Sequence, residues 1–389
     1  MKNIWNVMKH KISGLRDFGF LGSANIIGTG ISAFFWFYLA NIINEGDYGE
    51  INYFIGIAGI AYLFSSVAAP HTITVLTAKN VNIHSTLYLL SLIVGFVSFL
   101  VTLLIFHRTD IGLLIFGYLI YDLGLYYLLG RKLYARYSRE FIIQKILTVV
   151  FGFGFNHFFG HETIIYGLAL SYIPFTVIVY RLFRDSKIDF SLLKSHKGFI
   201  TNNYFENVVG GLNGQIDKII IAPLLGFVIL GNYALAMQVY AVLMIFSNVA
   251  FKYILPQDAS GGVSTKLKRS VICVSVAISV FGIIVLPIIL PHFFPKYTDT
   301  ANMIQITSIA IVPATIGFMY ISKFLSLEKS RFVLIGRIIA LAVMTTGMII
   351  LSKNFGTIGV AATVVLSVCA QTVFFVYANR KIGILKNEE

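Results

Sequence analysis

Residues 202–233 are apolar enough to cross a bilayer, yet they hold Glu206, Asn213, Gln215, Asp217 and Lys218. On a helix turning about 100° per residue, Glu206, Gly210, Asn213 and Asp217 recur at i, i+4, i+7 and i+11 and share one face. A charge near the centre of a membrane helix costs roughly 2.5–3.5 kcal/mol on insertion scales. Such a stripe is tolerated where it faces protein or a water-filled path, and the chemistry open to it there is binding of ions or polar solutes. The alternative is that Glu206 and Lys218 sit near the helix ends and reach the headgroups. Gly210 and Gly214 form a small-xxx-small pair that lets a neighbouring backbone approach.

Two further cations stand inside apolar stretches, Lys145 and Arg337. Each follows a Ser-Arg pair, Ser138-Arg139 and Ser330-Arg331, by the same spacing. Converging on one cleft, a lysine and an arginine suit a pyrophosphate, the arginine as a fork and the lysine as a point charge. Arg139 and Arg331 would flank its entrance. Basic residues near a cytoplasmic helix end also serve as anchors that snorkel, and the spacing alone leaves both readings open. Asp122, in YDLGLYY, and Asp217 are candidates to bind a proton or sodium ion, or to pair with Lys145 and Lys218. Tyr126 and Tyr127, near Asp122, and Tyr204, near Glu206, are candidates to stack on sugars.

No catalytic constellation accompanies them. The eight histidines, His10, His71, His84, His107, His157, His161, His196 and His292, fall near loops, and no metal site is expected. Cys273 and Cys369 lie in apolar stretches and form no disulfide framework. There is no GxxxxGK[ST] loop for a nucleotide. No cofactor and no nucleic acid is expected, and the chain does not read as an enzyme.

The elements that must carry these residues are membrane helices. Of 389 residues 57% are hydrophobic and only 12% charged, against about 25% charged in soluble domains. That leaves too little polar surface to coat a soluble globule. Stretches of about 20 apolar residues cross the hydrocarbon core. Twelve are expected, at 18–43, 48–69, 86–106, 111–130, 141–159, 163–180, 202–223, 228–251, 270–290, 302–322, 332–352 and 357–378. Residues 1–17 read as an amphipathic helix on the cytoplasmic surface, with Ile4, Trp5, Met8, Ile12 and Leu15 on one face. The run from 18 to 43 is longer than a signal core and is not expected to be cleaved.

The charge pattern sets the orientation. Placing the N-terminus and every second loop in the cytoplasm puts 24 of the 30 basic residues there, and only Arg108, Lys296 and Lys353 outside. Both termini are then cytoplasmic, as an even number of spans requires.

The chain also repeats. Residues 39–54 align with 224–239 at an offset of 185, pairing Gly46 with Gly231 and Tyr48 with Tyr233. Residues 138–147 align with 330–339 at 192, pairing Lys145 with Arg337, and the same offset pairs Gly167 with Gly359. Two six-helix lobes are expected, 18–198 and 199–380, with a tail at 381–389. Pro174, Pro287 and Pro313 fall within spans and are candidate bend points.

The stretches FLGSANIIGTGISAFFWFYLANIINEGDYGEINYF, GQIDKIIIAPLLGFVILGNYALAMQVY, EKSRFVLIGRIIA and NFGTIGVAATVVLS together cover much of both halves. With them the chain resembles the oligosaccharide flippases of the multidrug/oligosaccharidyl-lipid/polysaccharide (MOP) exporter superfamily. The resemblance implies an all-α polytopic membrane protein with two lobes that open alternately to either side of the cell membrane. It implies a substrate of sugars on a polyprenyl phosphate or pyrophosphate. The partners it implies are membrane lipids, that lipid-linked oligosaccharide, and glycan-assembly enzymes of the same pathway. Some relatives carry two further helices. The spans counted here leave no segment for them, so a lipid-tail groove built from such helices is not expected. Two other functions remain open: a drug or organic-cation antiporter of the same superfamily, and a membrane-embedded glycan polymerase or transferase.

Overall fold

A backbone in hydrocarbon must satisfy its own hydrogen bonds, which leaves helices and closed barrels. Helices form here throughout. The computed structural model describes residues 2–185, 187–259, 265–327 and 329–385. The helices are α1 (Lys2–Ile42), α2 (Glu45–Ser65), α3 (Pro70–Ala78), α4 (His84–Phe106), α5 (Thr109–Gly130), α6 (Tyr134–Phe159), α7 (Ile164–Leu170), α8 (Thr176–Asp185) and α9 (Phe190–Ser195). The second half of the chain supplies α10 (Lys197–Leu212), α11 (Ile216–Leu225), α12 (Phe227–Leu243), α13 (Ile245–Ala259), α14 (Thr265–Ile284), α15 (Leu286–Phe293), α16 (Thr300–Thr307), α17 (Ile311–Ser326) and α18 (Ser330–Leu385).

Among the described residues, nine helical segments are long and apolar enough to cross a membrane, and two bent pairs, α2 with α3 and α12 with α13, make eleven. The last segment is itself double. Gly356 interrupts α18 with φ 55° and ψ −131°, a conformation open to glycine. That break separates the spans expected at 332–352 and 357–378 and brings the number to twelve. The protein is an all-helical, multi-pass membrane protein.

The first span differs from expectation in one respect. α1 runs unbroken from Lys2 to Ile42, so residues 2–17 belong to the same helix as the span and form no separate element. The apolar face read from Ile4, Trp5, Met8, Ile12 and Leu15 lies outside the described side chains.

The three candidate prolines lie where helices break or begin. Pro174 sits in a 3-10 turn, Ile173–Phe175, between α7 and α8. Pro287 lies in the first turn of α15, and Pro313 follows the 3-10 turn Ser308–Ala310 near the start of α17. Proline lacks an amide proton, so the first turn of a new helix is where it costs least.

The chain divides into two compact units, Met1–Trp36 with Ile57–Val208, and Phe37–Gly56 with Val209–Glu389. The core of the first is built from Leu87, Tyr88, Leu123, Leu128, Phe175 and Ile178. In the second, Ile221, Leu230, Tyr233, Met348 and Val360 form one cluster, and Phe324, Val333 and Phe375 another.

Glycines bring the helices together in both units. A Cβ on Gly112 would strike the Phe99 ring, one on Gly152 the Phe35 ring, and one on Gly336 the Phe375 ring. Lipid offers little hydrophobic drive between helices, so close van der Waals packing at small residues has to hold them. Gly167 and Gly359, paired by the repeat, do the same task. Each has a backbone carbonyl of the preceding span, Phe151 or Leu351, where its Cβ would be. Along α4 the exposed apolar residues Ile93, Phe96, Val97, Leu100, Val101 and Leu104 recur at helical spacing, as a lipid-facing stripe requires.

The connection after α8 is tied down locally. Asp189 caps α9 by accepting from the amide and hydroxyl of Ser191 at 2.8 and 2.6 Å. These hydrogen bonds, the hydroxyl's first, hold the Asp189 carboxyl below the usual carboxylate range.

Candidate functional site

The polar residues of the first unit gather around Asp122. It stands on α5, and the hydroxyl of Tyr62, on α2, donates to its carboxylate. Tyr118, Tyr121, Tyr126, Tyr137 and Tyr172 all lie within electrostatic reach of that carboxylate. On α5 the spacing is the cause: 118, 121, 122 and 126 fall at i, i+3, i+4 and i+8, which is one helical face. The rings pack edge to face for Tyr62 and Tyr118 and for Tyr118 and Tyr172, with centroids 5.7 and 5.6 Å apart, and tilted for Tyr121 and Tyr172 at 5.3 Å. Gly117 makes room for this. A Cβ there would lie 2.6 Å from the Tyr172 ring. The Tyr121 hydroxyl is buried with no hydrogen-bond partner.

Lys145, on α6, joins the same group. It acts electrostatically on Asp122, and its ammonium lies 5.5 Å from the centroid of the Phe141 ring. One residue before it, the buried Gln144 donates to Thr148 at 2.8 Å and to Ser171 at 3.4 Å. Its amide oxygen has no partner.

In the second unit the stretch read as one helix is broken. α10 ends at Leu212 and α11 begins at Ile216, so the stripe from Glu206 to Asp217 does not continue along a single helical face. Asn213 and Gly214 lie in the break, with Gly214 N–H donating to Gly211 O at 3.0 Å. Two adjoining glycines and an asparagine are poor helix formers, and the local sequence gives way there. The Asn213 amide then donates to the carbonyls of Val209 at 3.3 Å and Arg337 at 3.1 Å, which ties the break to α18. The Arg337 guanidinium lies over Gly210. Its Nη1 would be 2.8 Å from a Cβ at that position.

Asp217 occupies the first turn of α11, where the helix dipole favours a negative charge. It is buried and accepts from the Tyr233 hydroxyl at 2.6 Å and from the Lys218 amide at 2.8 Å. The Lys218 ammonium donates to Gln215 at 3.3 Å, and its stem packs against Gly56. The acid is thus held by a tyrosine and a backbone amide, and the adjacent lysine by a neutral amide.

Tyr233→Phe is expected to destabilise the folded protein by about 1–3 kcal/mol, because it withdraws a donor from a buried carboxylate. Combined with Asp217→Leu, the loss should fall short of the sum of the two single losses, as coupled partners require. Thermal unfolding of the four proteins in one detergent reads this out, and additive losses would count against the coupling.

The remaining sequence candidates are dispersed. Arg139 is exposed and pairs with its neighbour Glu140 at 2.8 Å. Such surface pairs contribute about 0–1 kcal/mol. Arg331 is exposed, and Glu206 is half-buried on the part of α10 that belongs to the first unit. The Tyr204 hydroxyl donates to the Phe64 carbonyl at 2.9 Å, and the Tyr127 ring packs on His84 at 5.2 Å. Neither tyrosine is simply an open stacking platform. Among the described residues no group of three or more His, Cys, Asp or Glu could hold a metal ion. Tyr62, Tyr118, Tyr121 and Tyr172 were not singled out from sequence, and Tyr233 was marked only as the repeat partner of Tyr48, not as a partner of Asp217. The four-position spacing on α5 was the available signal for Tyr118 and Tyr121. Tyr62, on α2, and Tyr172, in the turn after α7, come from segments distant in sequence and leave no such mark.

Comparison with solved structures decides the architecture. An inward-facing multidrug resistance MATE family transporter of the MOP superfamily superposes with a TM-score of 0.70 at 15% identity, covering 94% of this chain and 96% of that one. This chain shares its fold with that transporter. The lipid II flippase MurJ, in an inward closed conformation, gives 0.69 at 13% identity over 92% of this chain and 87% of its own. A MOP superfamily transporter from Pyrococcus furiosus gives 0.55 at 16% identity over 95% and 96%. Identities this low speak for the fold and not for the cargo. No protein-family model and no curated protein matches the sequence.

Proposed function

We propose that the protein is a flippase that carries a lipid-linked oligosaccharide, on polyprenyl pyrophosphate, from the cytoplasmic to the outer leaflet of the cell membrane by alternating access. Its lobes are 18–198 and 199–380, and both termini are cytoplasmic. The observation that carries the proposal is how the charges inside the spans are held. Lys145 rests on the Phe141 ring and Lys218 on the Gln215 amide, while Asp122 and Asp217 are engaged by Tyr62 and Tyr233. Neither lysine is at hydrogen-bond distance from a carboxylate among the described residues, and both are assigned here to an anionic head, joined by Arg337 as the repeat equivalent of Lys145. The sugars and pyrophosphate cross through the polar interior while the polyprenyl chain stays in lipid. Asp122 and Asp217 serve coupling by taking up a proton or sodium ion, and enzymes of glycan assembly supply and consume the lipid. Likeness to the MurJ flippase supports the reading.

A second reading, antiport of organic cations, draws on the ring of tyrosines around Asp122. A carboxylate inside aromatic walls suits a quaternary or protonated amine. Likeness to the MATE transporter supports it equally. Proteoliposomes separate the two. The flippase reading expects a fluorescent polyprenyl-pyrophosphate oligosaccharide to become accessible on the far leaflet, with unlabelled polyprenyl pyrophosphate competing and no ethidium efflux. Ethidium efflux without lipid translocation would reverse the choice.

A further inference from the structure

In the first unit α3 and α5 end beside each other, and both stop in the same way. The amides of Asn80 and Val81 donate to the carbonyls of Thr77 and Leu76 at 3.0 and 2.9 Å. Those of Lys132 and Leu133 donate to Leu129 and Leu128, each at 3.0 Å. This pair of bonds puts the residue after the helix cap in the left-handed region. Asn80 stands there with φ 57° and Lys132 with φ 58°. Gly130 draws the two turns together, since a Cβ there would lie 2.7 Å from the Thr74 carbonyl oxygen and 2.7 Å from Thr77 Cβ. A pocket of about 400 Å³ opens at the turns, lined by Thr77, Ala78, Asn80, Arg131, Lys132 and Leu133.

Lys132 is the residue that the turn does not explain. Glycine is the usual occupant of such a position and asparagine is tolerated, whereas the Cβ of a lysine crowds its own carbonyl. A cation near a helix C-terminus does complement the dipole, but Arg131 already supplies one at the cap of α5. The turn that ends α17 closes with the same long bond, from the Lys329 amide to the Phe324 carbonyl at 2.8 Å, and has Leu327 at its cap. Stopping the helix therefore requires neither Arg131 nor Lys132.

The second observation is what the two cations face. The Arg131 guanidinium donates to the neutral Asn80 side chain at 3.3 Å. Among the described residues no carboxylate pairs with Arg131 or Lys132, and none lines the pocket. Lys79, the exposed cap of α3, adds a third positive charge next to Ala78 and Asn80. Beside the cations the wall is apolar, with Ala78 and the exposed Leu133. The pocket lies between expected spans, in loops that the basic residues assign to the cytoplasm. A phosphate there could accept from the Arg131 fork and the Lys132 point charge, with the glycerol and the start of the acyl chains against Leu133. The ammonium of a zwitterionic headgroup would find no carboxylate to meet it.

We propose that this pocket binds the phosphate of a resident anionic phospholipid of the cytoplasmic leaflet, of the phosphatidylglycerol kind, and that the bound lipid ties the ends of α3 and α5 together. Basic pockets between membrane helices on the cytoplasmic side suit such headgroups. The site lies outside the spans and within the first unit, so it stands whatever the protein carries. Lys132 gives up some folding stability at its turn in return for lipid binding.

The test is native mass spectrometry of the full chain in detergent, titrated with phosphatidylglycerol or phosphatidylcholine, which gives a Kd for the first lipid retained. Phosphatidylglycerol should bind at least tenfold more tightly than phosphatidylcholine. Lys132→Gly should weaken phosphatidylglycerol at least fivefold while its thermal midpoint without lipid stays equal or rises, because glycine relaxes the turn. Lys132→Asn, neutral and tolerant of the left-handed region, should show the same loss and replaces the glycine variant if that one folds poorly. Lys194→Ala, an exposed lysine of α9 outside the pocket, should bind as the unaltered protein does. A smaller loss in both Lys132 variants, or an equal loss in Lys194→Ala, would overturn the inference and leave a diffuse charge effect. Equal affinity for phosphatidylcholine would overturn it as well. Displacement of the lipid by an equal concentration of inorganic phosphate would make the ligand a soluble anion, and displacement by an equal concentration of polyprenyl pyrophosphate would make the pocket a station for cargo. Either result rejects a resident phospholipid.

Discussion

Gly231→Leu is expected to prevent the second unit from folding, and little monodisperse protein should be recovered. The reason is the crossing of α2 and α12. A Cβ on Gly231 would strike the backbone carbonyl of Glu45, and one on Gly49 the carbonyl of Phe227. Both obstacles are main chain inside helices, so no rotamer can move aside. The helices would have to part, and the buried Tyr48 and Tyr233 that flank the crossing would lose their packing. Overpacking of a core usually costs about 1–3 kcal/mol, with larger losses where the clash is rigid. Here about 3 kcal/mol or more is expected, because two spans separate and not one side chain. Gly154→Leu is the matched control. Nothing lies within 4 Å of its Cβ position, and a helix former gains roughly 0.5–1 kcal/mol over glycine. Size-exclusion profiles and thermal midpoints of the two variants should therefore diverge in opposite directions. A well-folded Gly231→Leu protein with an unchanged midpoint would show that the crossing is not as tight as described.

The Lys145→Ala/Arg337→Ala protein is expected to lose lipid translocation by two to four orders of magnitude while remaining folded. A hydrogen bond to a charged group contributes about 1.5–3 kcal/mol, and each 1.4 kcal/mol is tenfold. Two such contacts to one anionic head together give that range. Lys145 rests on a ring and not in a buried ion pair, so its removal leaves no stranded carboxylate at hydrogen-bond distance. Lys145→Arg/Arg337→Lys keeps both charges and should retain most of the rate, which separates charge from packing. The measurement is the initial rate of translocation of a fluorescent polyprenyl-pyrophosphate oligosaccharide, normalised to folded protein. A double-alanine rate within threefold of the unaltered protein would remove the anion site and leave the tyrosine-ringed Asp122 as the better starting point.

How far the sequence reached can be traced residue by residue. Apolar length and the rarity of charge determined a multi-pass helical protein, since backbone in hydrocarbon has few other options. The break at Gly356 and the breaks at the prolines are local matters of backbone freedom and a missing amide proton, and they were legible. The repeat drew attention to Gly167 with Gly359 and to Tyr48 with Tyr233, positions that turn out to be closely packed or buried. The charged candidates were found because charge inside a span is rare.

What surrounds those candidates was not legible, because it comes from helices distant in sequence. Tyr62 reaches Asp122 across 60 residues. Asn213 reaches the Arg337 carbonyl across 124, which depends on α10 stopping at Leu212 where periodicity alone continues the helix. Periodicity records which face of a helix is polar; it carries no information about which other helix that face meets. Whether Lys218 answers Asp217 or Gln215, and whether Arg131 meets Asn80 or a carboxylate, are decided by helix packing in three dimensions. Only the folded structure contains that.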